Sequence, residues 1–105
     1  MANKKNEVFI KNTKSLILKQ KQIVVKLRSA TWNGAKQKMA EESLKCILNL
    51  VGELEARKLA KEYTEKLRDQ VEYIKTQITW FSSENLSTGG KDFCYEETLK
   101  DVGWI

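Results

Sequence analysis

Few side chains in this sequence have the type and the company that catalysis needs. There is no histidine, so the commonest general base and metal ligand is missing. The serines have no imidazole to activate them, and neither cysteine, Cys46 or Cys94, has a histidine to pair with. Two cysteines cannot build a four-thiolate metal site. They are also too few for a disulfide framework. Carboxylates occur as adjacent pairs, Glu41-Glu42 and Glu96-Glu97. Neighbours on a helix diverge by about 100° and do not share a site. Gly89-Gly90 lacks the spaced glycines and the lysine of a phosphate-binding loop. The sequence therefore predicts no catalytic residue, no metal site and no cofactor, and a protein that is not an enzyme.

What remains is the chemistry of contact. Residues 1–31 carry a net charge of +7, residues 32–83 carry +1 and residues 84–105 carry −3, within a total of +5. The excess positive charge thus sits on the first segment. Lys14, Lys21 and Arg28 repeat at seven, with Lys11 one turn before, so the four share one side of a helix. Such a stripe is either a solvated polar face or a surface that follows phosphates or meets an acidic partner. No aromatic residue interleaves with it, which leaves base stacking unsupported.

These residues need elements to hold them, and the pattern is helical throughout. The chain contains no proline, the strongest helix breaker. Phe9, Leu16 and Ile23 repeat at seven, as do Ile10, Ile17 and Val24. They predict a helix over about 6–30 with a heptad seam of coiled-coil type. Such a helix is roughly 37 Å long. From Ala35 to Phe81 only Gly52 interrupts a run of apolar residues at steps of three and four. Met39, Leu44, Ile47, Leu48 and Val51 form one stripe; Leu59, Tyr63, Leu67, Val71, Ile74, Ile78 and Phe81 form the next. A single helix here would be about 70 Å long, more than the first helix can cover. The expectation is a break at Gly52, with helices over about 35–51 and 53–82, making a three-helix bundle. The alternative is an unbroken helix in a hairpin, its free half buried by another chain. Cys46, inside the apolar run Leu44 to Leu48, is expected to be buried. Glu41–Lys45, Glu53–Arg57 and Glu62–Lys66 have the favourable i, i+4 order for ion pairs. Ser82 to Gly90 reads as a loop. Asp92 is placed to cap a short helix ending near Lys100, before the apolar end Trp104-Ile105. The whole reads as one all-α domain. No signal peptide and no apolar span of about 20 residues is visible, so the expectation is a cytoplasmic protein, with export by a signal-less route left open.

Between the first two helices stands Trp32-Asn33-Gly34. A Trp-x-Gly corner between two long helices, in a chain of about this length, resembles the WXG100 (ESAT-6-like) family of type VII secretion partners. The resemblance implies helical hairpins that pair as dimers, and export by a dedicated machine. That family often carries a C-terminal Tyr-x-x-x-Asp/Glu signal; here the nearest variant is Phe93-x-x-x-Glu97.

The reading is therefore a small non-enzymatic helical protein that works by protein–protein interaction, as a homo- or hetero-oligomer. It would be a WXG100-like secretion partner or a phage or mobile-element accessory protein that modulates a host factor. Trp32, Gly34, Phe93, Trp104 and Ile105 are the candidate partner-binding residues. The alternative is a basic nucleic-acid-binding protein that touches the phosphate backbone through Lys11, Lys14, Lys21 and Arg28. Its helices are too long for a helix-turn-helix.

Overall fold

The computed structural model describes residues 4–27, 34–88 and 95–105, with positions 80–88 as backbone only. Among these residues four helices follow in order: α1 (Lys4–Lys26), α2 (Gly34–Ala56), α3 (Lys61–Thr88) and α4 (Tyr95–Asp101). Among the described residues there is no strand. The molecule is a rod, 57 × 20 × 20 Å with a radius of gyration of 15.4 Å. A compact domain of this size would have about 13 Å. The all-α expectation holds, as a helical bundle with a short C-terminal helix.

Helix α2 lies in the middle and packs against both α1 and α3. Its inward series is Ala40, Ser43, Leu44, Ile47, Val51 and Leu54. From α1 come Ile17, Val24 and Leu27; from α3 come Leu67, Val71, Ile74 and Ile78. Together with Tyr95 and Leu99 of α4 they make one core. The heptad seam of α1 is narrower than its sequence suggests. Ile17 and Val24 are buried, whereas Leu16 and Ile23 stand exposed.

The break is not at Gly52. Helix α2 runs through that residue and ends at Ala56. The chain turns over residues 57–60, which contain neither glycine nor proline. Lys58 has φ 57° and Ala60 has φ 49°. The Lys58 N–H donates to Glu55 O at 3.0 Å and the Leu59 N–H to Leu54 O at 2.9 Å. These are the two bonds of a Schellman cap. A left-handed non-glycine residue costs about 1–2 kcal/mol. Folding back lets Leu67, Val71, Ile74 and Ile78 bury against α2, at about 1.5–3 kcal/mol each. Burial wins, and it sets the turn where the apolar stripe changes phase rather than where the glycine stands. The same cap recurs after α4. There Gly103 (φ 76°) donates to Lys100 O and Trp104 N–H to Leu99 O, both at 3.0 Å.

Several further expectations are corrected. Cys46 is exposed, because it precedes buried Ile47 by one residue and so points about 100° away from the core. Met39 is exposed for the same reason beside buried Ala40. The segment from Ser82 to Thr88 is helical, not a loop. It holds neither glycine nor proline, and extending an existing helix costs far less than starting one. None of the three expected i, i+4 pairs is an ion pair. An ion pair instead joins Arg68 of α3 to Glu55 of α2 in a two-pronged contact across the turn. The hydrogen bond from Arg68 holds the Glu55 carboxyl below its usual range. Thr64, fully buried, satisfies its hydroxyl by donating to Lys61 O at 2.9 Å.

Gly52 is thus a helix-interior glycine with open space where a side chain would stand. Gly52→Ala should stabilise the fold by about 0.5–1 kcal/mol. Lys58→Gly should add about 1 kcal/mol by relieving the left-handed strain. Thermal unfolding followed by circular dichroism checks both. A drop in Tm with Gly52→Ala would mean that the helix bends there.

Candidate functional site

The short turn sends α3 back alongside α2, so α3 runs parallel to α1. Among the described residues three cations lie over aromatic rings: Lys14 and Lys21 on this side of the rod, and Arg57 on the other flank of α1, where Phe9 shares the face of Leu16 and Ile23. Arg57 Cζ is 4.1 Å from the centroid of Phe9, Lys14 Nζ is 4.6 Å from Tyr63, and Lys21 Nζ is 5.0 Å from Trp104. Each such contact contributes about 0.5–1 kcal/mol where solvent reaches it. Lys14 and Lys21 are two turns apart on α1. Their rings are presented by Tyr63 directly and by Trp104 through Gln70, which follows Tyr63 by two turns on α3.

Trp104 is not a loose end. Its Nε1 donates to Gln70 Oε1 at 3.1 Å, and Gln70 Nε2 donates to Val102 O at 3.0 Å. One glutamine therefore fixes both the indole and the backbone before it. Just beyond, the Tyr73 hydroxyl donates to Asp101 Oδ2 at 2.9 Å, which lifts the Tyr73 pKa. At the root of α4 the buried Tyr95 hydroxyl donates to Val24 O at 2.7 Å. Burial pushes the Tyr95 phenol up strongly. So α4 and the tail are tied to both α1 and α3.

Electrostatically this side is under-neutralised. Among the described residues, Lys11, Lys14, Lys21 and Lys66 make no ion pair with a carboxylate. Partial burial, and then the nearby Lys66 ammonium, pull Lys21 below the usual lysine range. The rim is mixed. A shallow cleft beside the tail is lined by Lys66, Asp69, Gln70, Tyr73, Lys100 and Asp101. Among the described residues no three His, Cys, Asp or Glu side chains converge to hold a metal ion. No described helix is long and apolar enough to cross a membrane.

Of the residues singled out in the sequence, Lys11, Lys14 and Lys21 fall on one flank of α1. Trp104 joins them there, and Ile105 follows, part-exposed. Gly34 opens α2 with free space around it, apart from this cluster. Trp32, Arg28, Phe93, Cys94 and Asp92 lie outside the described residues. Sequence reasoning missed Tyr63, Gln70 and Tyr73. A signal existed: Tyr63, Gln70 and Gln77 repeat at seven, the same step as Lys14 and Lys21. Two helices with matched steps can align those rows side by side.

Compared with known proteins, the chain matches no family model, no curated protein and no solved structure. The resemblance to WXG100 proteins accordingly rests on Trp32-Asn33-Gly34 and the helix layout.

Tyr95→Phe removes one buried donor and leaves Val24 O without it. The loss should be about 1–2 kcal/mol, read as a lower Tm at unchanged helix content. An unaltered Tm would mean that this hydrogen bond contributes nothing to the fold.

Proposed function

We propose that this is a non-enzymatic interaction protein whose α1–α3 side docks an acidic surface of another protein. The observation that carries the reading is the pair Lys14 and Lys21. They stand about 10 Å apart along α1 by helix rise, each over an aromatic ring and neither paired with a carboxylate among the described residues. Ammonium groups placed this way keep their charge available while the ring limits their rotamers. Carboxylates at i and i+7 of a partner helix have matching spacing. Tyr63, Trp104 and exposed Leu18 add apolar area of the kind that anchors protein interfaces. Two narrower versions fit inside this reading: a WXG100-like secretion partner engaging through Trp32 and Gly34, and an accessory protein of a phage or mobile element that modulates a host factor.

A second reading, binding to a nucleic-acid backbone, is favoured by the same two lysines. Against it stand exposed Glu62 and Asp69 on α3, next to Lys66, which a polyanion would have to pass.

The test is affinity capture from lysate of the source cell, with and without nuclease, using the wild type and Lys14→Glu/Lys21→Glu. The expected result is one acidic protein that survives nuclease and is lost with the double variant. Capture that nuclease abolishes, together with oligonucleotide binding that persists at about 200 mM salt, would replace this reading with the second.

A further inference from the structure

The opposite flank of α1 carries a different message. Leu16 and Ile23 each precede a core residue, Ile17 and Val24, by one position, which places them about 100° from the core direction. They lie on the flank away from Lys14 and Lys21, and hence away from α3. Leu16 is 48% exposed and Ile23 38%. On α2, Met39 and Cys46 likewise each precede a core residue, Ala40 and Ile47, and both are exposed. They lie away from Glu55, which reaches Arg68 on α3. The two pairs therefore border the same outer groove, between α1 and α2. Counted from the ends of the α1–α2 connection at Lys26 and Gly34, Ile23 lies three residues in and Met39 five, Leu16 ten and Cys46 twelve, so each pair is level to within about 3 Å of helix rise. The result is an apolar ladder with two rungs.

The rims of this groove differ in sign. On α1 the outward neighbour is Lys19, with Lys5 and Lys26 on the same flank; on α2 it is Glu42, with Glu53 beyond. Lys19 and Glu42 stand seven and eight residues in by the same count, both are exposed, and neither makes an ion pair among the described residues. A two-fold axis parallel to the rod lays α1 of one copy antiparallel to α2 of the other. That operation preserves level, so it sets Lys19 against Glu42 of the second copy, twice. It also closes the ladder, Ile23 on Met39 and Leu16 on Cys46. A two-fold perpendicular to the rod would instead bring the basic rims of both α1 helices together. The charges select the first arrangement.

We infer that the Leu16, Ile23, Met39 and Cys46 face binds a second copy of this chain, as a symmetric pair of rods joined through α1 and α2. An isologous interface of this kind needs self-complementary rims, and this face has them. It lies across α1 from Lys14 and Lys21, so pairing of copies and capture of an acidic partner are separable. Failure of one leaves the other standing.

Sedimentation equilibrium of the purified chain tests the inference. The expected result is a species of twice 12.2 kDa with a dissociation constant at or below about 10 μM. Leu16→Glu should give monomer with an unchanged circular dichroism spectrum, because its side chain is exposed in the single copy. Lys19→Glu and Glu42→Lys should each weaken pairing about tenfold. The double exchange Lys19→Glu/Glu42→Lys should restore it. A monomeric wild type at about 100 μM, pairing indifferent to Leu16→Glu, or a double exchange that fails to recover would each overturn the proposal.

Discussion

The stripe of α2 from Ala40 to Leu54 is the constraint on which everything else rests. It is one continuous apolar ridge, and a single neighbour cannot cover it. Helix α1 covers one flank; the fold-back over residues 57–60 brings α3 onto the other. That demand is strong enough to hold Lys58 and Ala60 in left-handed conformations without a glycine. Once α1 and α3 are both laid on α2, they run in the same direction. Their matched seven-residue steps then bring lysines to rings. The tail follows, since only the α1–α3 side offers Gln70, Tyr73 and the carbonyl of Val24 together.

Much of this was legible in the sequence, and the failures have physical causes. The helical class, the core series Ile17 and Val24, and the series Leu67, Val71, Ile74 and Ile78 could be read from spacing alone. Spacing could not say how wide the buried stripe is. Leu16, Ile23, Met39 and Cys46 all sit one residue ahead of a core position, and whether such a residue is buried depends on a neighbour that a single helix does not reveal. Gly52 misled because glycine permits a turn without requiring one. The actual turn uses ordinary residues, chosen by the phase of the stripe on either side. The cation–ring contacts were invisible because each joins separate segments, and an aromatic seven residues along one helix says nothing until its partner helix is aligned. The remaining sequence signals, Trp32 and Phe93, lie outside the described residues.

The two flanks of α1 divide the surface by chemistry. One flank meets α3 and presents charge on aromatic supports. The other, past α2, presents four apolar or soft side chains between rims of opposite sign. One rod can therefore hold two contacts at once, since neither flank obstructs the other. The division follows from a seven-residue step that drifts only slowly around an α-helix, so that rows of like residues stay on one side over three turns.

The bond from Tyr95 to Val24, which spans 71 positions, has a temporal consequence. The three long helices are joined in sequence and pack on their immediate neighbours, so their contacts are local and quick to form. Helix α4 is different. Its anchoring groups lie on α1 and α3 and have no fixed geometry until both are in place on α2, and the loop that must close is long. It therefore docks last on the way in. By the same logic it is the first unit to release when the native state opens partially, and the long helices remain assembled while the tail comes and goes.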